Sequence, residues 1–289
     1  MIFIVESGST KSDWVLLDDK NNQSFYSTMG FNPYFHSSDL IKSELIGHEE
    51  IYKLASEVKG VYFYGAGCSS SQMNKIVAAG LRRVFKNATV LVEHDLLACA
   101  YSTYRGVPVI SCIIGTGSNS CYFDGQNLSE EVPALGYVLG DEGSGSYFGK
   151  QLLAAFLYHK LSPEIEKDFV SSYALDKDTI VDKVYREPNA NVFIASFMPF
   201  IYKHKSDAFI RKMLVEGFKR FIDVHVTCYP NYTQTEINFV GSISALFEEE
   251  LKEAASSFGL TVGAIIRRPV DALVNYHINF ILKNQLTNL

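Results

Sequence analysis

The sequence predicts an α/β protein of two domains, and three observations predict it. Apolar, strand-like runs alternate with stretches of helical spacing over the first ~105 residues. The pattern then restarts near Gly106-Val107-Pro108 with a second strand–turn–strand unit. Finally, 289 residues with 47% hydrophobic content suffice for two cores rather than one.

Taken in order, "IFIV", "DWVLL" and "QSFYST" read as three strands, and "SSDLIKSELIGHEEIYKLASEV" as helix. "GVYFYGAG" is a buried strand entering a glycine turn, and "SSSQMNKIVAAGLRRVF" a helix that serine caps. "ATVLVEHD" is the next strand, and "DLLACAYSTYR" the helix that starts at its end. "PVISCIIGTGSNSCYFDGQ" repeats the opening strand–turn–strand pattern. Set beside "IVESGSTKSDWVLLDD", it has the same apolar strand, turn of Gly, Ser and Thr, outgoing strand and Asp corner, an internal repeat of architecture. Five helical stretches follow: "SGSYFGKQLLAAFLYHKL", "SPEIEKDFVSSY", "DTIVDKVYR", "NVFIASFMPFIYKH" and "DAFIRKMLVEGFKRFIDVHV". Then come the strand "INFVGS", the helix "ISALFEEELKEAASSF", the strand "TVGAII" and a C-terminal helix, "PVDALVNYHINFILKNQL". Residues 1–106 are expected to form the N-terminal domain, joined by the C-terminal helix 270–289, and residues 107–269 the C-terminal domain.

Composition excludes several classes. The net charge is −6 and no block of Lys or Arg runs along the chain, so there is no footprint for nucleic acid. The longest apolar runs, such as "VPVISCII", fall far short of the ~20 residues that span a bilayer. The start "MIFIVESG" lacks the basic and long apolar parts of a signal peptide. The five cysteines are scattered with no Cys-x-x-Cys pair, as in reduced thiols. A cytoplasmic protein is the expectation.

The two turns suggest chemistry. A turn rich in Gly, Ser and Thr aims several backbone N–H groups and hydroxyls at one spot, which suits a phosphate. Two such turns, one per domain, would grip a polyphosphate from both sides. Lys11 would neutralise charge, and Glu6 would hold a magnesium ion through water, because hard cations prefer oxygen. Either turn alone is equally an ordinary hairpin. No P-loop is present, and "GTGSNS" lacks the third glycine and the following helix of a dinucleotide fingerprint. "VLVEHDLLACA" puts Asp95 where a strand ends and a helix begins, a place for a helix cap or for a general base that takes a proton from a sugar hydroxyl. His94 beside it reads as packing or polar support. In "GYVLGDEGSGSYFG", glycines at 140, 143 and 145 permit close approach to a ligand, and Asp141 can accept from sugar groups; a surface acidic turn is the plainer reading. Asn32, in the loop "MGFNPYF", is either a second reader of hydroxyls or an Asn-Pro turn.

Seven stretches together resemble the N-acetylglucosamine kinase-like members of the BadF/BadG/BcrA/BcrD ATPase family, in the actin-like ATPase and sugar kinase superfamily. They are "ESGSTKSDW", "GFNPY", "GAGCSS", "VEHDLLACA", "IIGTGSNS", "LGYVLGDEGSGSYFGK" and "FVGSISALF", which span residues 6 to 247. The resemblance implies a two-domain actin-like (ribonuclease H-like) fold with ATP, Mg2+ and an amino sugar, N-acetylglucosamine first, in an interdomain cleft. It implies Ser9, Thr10 and Lys11 at the first phosphate loop, Thr116 and Gly117 at the second, and Gly241 and Ser242 near the adenosine. It implies Asn32, Asn119, Gly136 and Asp141 on the sugar, and Asp95 as the base. The family's first loop usually opens with Asp, where Glu6 stands here. A homodimer is compatible with the resemblance. The same family includes ATPase activators of 2-hydroxyacyl-CoA dehydratases, which carry an iron–sulfur cluster; Cys112 sits where such an activator has a ligand, but no second cysteine follows at a suitable distance. A non-catalytic sugar-binding regulator is the third reading.

Overall fold

Five strands form the first sheet, and their order is β3-β2-β1-β4-β5. In the computed structural model, which describes residues 1–283, these are β1 (Ile2–Ser7), β2 (Lys11–Leu17), β3 (Gln23–Met29), β4 (Gly60–Gly65) and β5 (Thr89–His94). The first three pair antiparallel, as two tight turns allow. β1, β4 and β5 pair in parallel, because helices α1 (Ser38–Gly47), α2 (Glu49–Leu54) and α3 (Ser71–Arg82) provide the crossovers. α4 (Asp95–Thr103) leaves directly from the end of β5.

Both faces of this sheet are covered, which explains why β1 reads as a continuous apolar run. Phe3 and Val5 join Trp14, Phe31, Phe63, Val77, Leu81 and Phe85 on the α1/α3 side. Trp14 meets Phe3 edge-on at 5.4 Å, and its indole N–H donates to Thr28 Oγ1 at 3.0 Å. Ile4, Val15, Leu17 and Tyr64 face the other way, onto Ala98 of α4 and onto Val270, Leu273 and Val274 of the C-terminal helix Val270–Tyr276. That helix continues as a π turn over His277–Ile281. Residues 284–289 of the expected C-terminal helix lie outside the described residues.

The second sheet repeats the order. β6 (Val109–Ile114), β7 (Ser118–Phe123) and β8 (Leu128–Ser129) are antiparallel, and β9 (Glu236–Val240) and β10 (Val262–Ile266) are parallel to β6, in the order β10-β9-β6-β7-β8. Read from β8, this is the first sheet again, so the repeat legible at residue level in two hairpins extends to five strands. It is also the actin-like plan. The helices are α5 (Gly136–Leu139), α6 (Gly145–Leu157), α7 (Pro163–Tyr173), α8 (Lys177–Tyr185), α9 (Ala190–Ala195), α10 (Met198–Lys203), α11 (Ala208–His225), α12 (Ser242–Leu246) and α13 (Glu248–Ser256). Their apolar faces share one core, including Phe148, Phe169, Phe197, Phe218 and Phe221. The chain divides into two compact units, residues 1–102 with the segment from Pro269, and Thr103–Arg268.

Three expected helices are broken, each for a local reason. "NVFIASFMPFIYKH" divides into α9 and α10 because Pro199 has no N–H to continue a helix and sits in the first turn of α10. The stretch after Ser38 breaks at His48, whose backbone leaves the helical region and whose ring accepts from the Ile51 N–H. The stretch after Ser242 breaks at Phe247, also outside the helical region.

Candidate functional site

In the first unit the candidate residues gather where β1, β4 and β5 end. Ser7, Gly65 and His94 are register partners across the three parallel strands. Glu6 pairs with Asp13 on β2 and with Tyr64 on β4, and Tyr64 with Glu93 on β5, so these four side chains share one face of the sheet. The turn is closed by Gly8 N–H donating to Lys11 C=O at 2.9 Å. The buried Ser7 hydroxyl accepts from Ser12 Oγ at 2.7 Å and from the Phe31 N–H at 3.0 Å. Gly30 N–H donates to Thr10 C=O at 3.1 Å, and a Cβ at Gly30 would lie 2.1 Å from Gly8 O, so only glycine fits. Ser9, Thr10 and Lys11 are left at the tip; Thr10 and Lys11 are exposed, and the Lys11 ammonium lies 2.6 Å from Asp13.

Asn32 is buried, and its side-chain oxygen accepts from the Tyr34 N–H at 3.0 Å. Gly67, in "GAGCSS", approaches it so closely that a Cβ would meet Asn32 Oδ1 at 2.5 Å. Asp95 opens α4, with His94 Nε2 3.4 Å from its Oδ1. Burial, then the charges of Asp95 and Glu93, push the Cys68 thiol up to about 12. The structure thus brings the loop after β4 and the base candidate to one end of the sheet.

In the second unit "GTGSNS" and "GDEGSG" are bonded to each other. Gly145 N–H donates to Gly115 C=O at 2.9 Å and Ser146 N–H to Thr116 C=O at 3.0 Å. Ser118 donates twice, from N–H to Asp141 Oδ1 at 3.2 Å and from Oγ to Glu142 C=O at 2.7 Å. Asp141 adopts a left-handed backbone, φ 56°, and its carboxylate lies where a Cβ on Gly117 would come within 2.9 Å. Burial pushes the Asp141 carboxyl up to about 6, against the Ser118 N–H and Lys150, which favour its charged form. Asn119 is buried, accepting from the Ser120 N–H and donating to Glu130. Gly136, at φ 68°, opens the exposed turn α5. Gly241, at φ 129°, lets β9 run into α12; a Cβ there would strike Ile114 O at 2.3 Å.

Gly115, Thr116, Gly145, Ser242 and Ile243 line a crevice of about 230 Å³, closed by Ala195, Met198, Pro199, Leu246 and Arg267. Sequence reasoning missed that second group. Pro199 and Arg267 carry no motif of their own, and only the fold of α9, α10 and β10 brings them there. It missed His225 too, which lies 3.4 Å from Glu142. Cys112 is fully buried in β6, and burial holds its thiol well above the ordinary value. Among the described residues no group of three or more His, Cys, Asp or Glu could hold a metal, and no helix is long and apolar enough to cross a membrane.

No protein-family profile matches the chain, and no curated protein does. Among solved structures, a candidate N-acetylglucosamine kinase from Porphyromonas gingivalis superposes with a TM-score of 0.91 at 32% identity, covering 97% of this chain and 100% of that one. A candidate N-acetylglucosamine kinase from Chromobacterium violaceum gives 0.70 at 14% identity, over 95% and 98% of the two chains. A ROK-family glucokinase from Streptomyces griseus, in complex with glucose and AMPPNP, gives 0.54 at 14% identity, over 95% and 97%. The last two speak for the fold alone. At 32% identity along nearly its whole length, the chain belongs with the Porphyromonas gingivalis protein in the N-acetylglucosamine kinase-like family of actin-like sugar kinases.

Proposed function

We propose that this protein is an ATP-dependent sugar kinase acting on a hydroxyl of an amino sugar, N-acetylglucosamine first, within the BadF/BadG/BcrA/BcrD ATPase family. The observation that carries this reading is the bonding of "GTGSNS" to "GDEGSG". It joins a glycine turn suited to phosphate to a half-buried carboxylate suited to a sugar, in one unit and beside one crevice. The kinship with the Porphyromonas gingivalis protein supports the same substrate class.

Each residue then has a role. Ser9, Thr10 and Lys11 in the first unit, and Thr116 and Gly117 in the second, contact phosphates through N–H groups, hydroxyls and one ammonium. Gly241 and Ser242 border the nucleoside, and the ~230 Å³ crevice is of a size for part of it. Asp141 remains a carboxylate near neutral pH and accepts from a donor such as the N–H of an N-acetyl group. Asn32, Asn119 and Gly136 complete the sugar's surroundings. Asp95 takes the proton of the attacking hydroxyl as the phosphoryl group arrives, and transfer is otherwise a matter of position and charge.

Mg2+ fits this donor set. Glu6 and Asp13 are paired on one face of the sheet, and magnesium is held by one or two carboxylates plus phosphate oxygens and water. A bound ion would neutralise phosphate charge, with Glu6 as the carboxylate that would hold it through water. The test is an ATP-coupled screen over amino sugars with Asp95→Asn as control. Turnover of N-acetylglucosamine by the wild type, lost in the variant, is the expected result. Sugar binding without phosphate transfer under any nucleotide would favour the regulator, and iron in anaerobically purified protein the activator.

A further inference from the structure

His225 is the last residue of α11 and is 3% exposed. Its ring stacks on Phe221 with centroids 5.0 Å apart, and Nε2 lies 3.4 Å from Glu142 Oε2. Nδ1 is buried with no hydrogen-bond partner. Burial lowers its pKa, against the neighbouring Glu142, and a neutral ring with its proton on Nε2 would face that carboxylate while Nδ1 stays without a partner. A phenylalanine would fill this space on Phe221 without a stranded nitrogen, so packing alone does not explain a histidine here. The main chain of the same residue makes a second link: its C=O accepts from Ser120 Oγ at 2.6 Å. Glu142 directly follows Asp141, and Ser120 directly follows Asn119.

We propose that His225 is a positioning residue for the sugar, holding the Glu142 side chain with its ring and β7 with its carbonyl, so that Asp141 and Asn119 keep one fixed spacing. This rests on the sugar-kinase reading above. The Asp141–Glu142 turn needs such support because Asp141 sits in the left-handed region. Ser118 fixes the turn's backbone through the Glu142 carbonyl, and His225 fixes the side chain. A neutral donor does this without placing a second cation beside Asp141, where Lys150 already acts.

The test is calorimetric titration of N-acetylglucosamine, or of the panel sugar the wild type turns over fastest, into the full chain, with KM for sugar and for ATP measured alongside. His225→Phe is expected to weaken sugar binding about ten-fold and to leave the KM for ATP within about two-fold. His225→Gln, whose amide N–H reaches where Nε2 does, is expected to restore sugar affinity to within about three-fold. If His225→Phe fails to fold, Glu142→Ala, which removes the acceptor, carries the same expectation of a selective loss of sugar affinity. Unchanged sugar affinity in His225→Phe, or sugar and ATP constants that move together, overturns the positioning role and leaves the kinase reading standing. A wild-type chain that binds no sugar of the panel overturns both.

Discussion

The turn between β1 and β2 and the turn between β6 and β7 occupy the same place in two sheets of the same strand order, yet each is buttressed by a different element. In the first unit β3 is seven residues long and runs back beside β2 until Met29 lies opposite Lys11. Gly30 therefore arrives at the turn and bonds Thr10. In the second unit β8 has two residues and pairs only with Tyr122 and Phe123, at the far end of β7. No third strand reaches the turn there, and the start of α6 takes over through Gly145 and Ser146. In both units a candidate sugar reader stands next to the buttress: Asn32 two residues after Gly30, and Asp141 four before Gly145. One topology thus places a glycine turn, a candidate for phosphate, beside a candidate polar reader twice, by two local solutions.

The largest effect that would sharpen this comparison is at Asp95, on the first unit. Asp95→Asn is expected to keep sugar affinity within a few-fold and to lower kcat by ~10²–10⁴-fold, since the amide cannot accept the hydroxyl proton; a coupled assay with saturating sugar measures it. An unimpaired variant would remove Asp95 from the reaction.

The half-buried Asp141 carboxylate makes the turn of the second unit sensitive to pH. The folded pKa of Asp141 is about 6, above its ordinary value of 3.8, so folding favours the proton. The penalty is absent below about pH 4, grows between about 4 and 6, and is complete above, to at most ~3 kcal/mol. Stability should fall as pH climbs through that window, and Asp141→Asn should flatten the profile seen in urea titrations followed by far-UV circular dichroism.

Glycine replacements test the two units separately. Gly30→Ala would set a methyl 2.1 Å from Gly8 O, and Gly241→Ala a methyl 2.3 Å from Ile114 O at φ 129°. Each is expected to cost ~1–3 kcal/mol or more of stability. The sole tryptophan, Trp14, lies in the core of the first unit. Its fluorescence should therefore report Gly30→Ala directly. Equal displacement of the fluorescence transition by both variants would show that the units unfold together.

The smallest effect belongs to Lys11→Met. The Lys11–Asp13 pair is on an exposed lysine, so stability should change by less than ~1 kcal/mol. The KM for ATP should rise while the KM for sugar holds; a variant with both constants unchanged would take Lys11 out of phosphate binding.

Much of the fold was legible because burial leaves a periodic trace. β1, β4 and β6 read as strands since apolar side chains cover both faces, and α3 and α11 since theirs recur at helical spacing. Breaks were harder. His48 and Phe247 leave the helical region with no proline at the break, and only Pro199 announced its break chemically. β8 was invisible, because two residues have no period.

The site divides along the same line. Residue types and their order along the chain were enough to nominate Ser9, Thr10, Thr116, Asp95 and Asp141, because a phosphate turn needs glycine and hydroxyls within a few consecutive positions, and strand-end carboxylates are local features too. Which partners hold them was settled only by folding. Gly145 bonding Gly115, Gly67 closing on Asn32 and His225 reaching Glu142 each join positions tens of residues apart, and such contacts leave no spacing in the chain to read. The pKa of Asp141 belongs to that second kind, since burial by distant segments sets it, while the carboxyl group itself was written in the sequence.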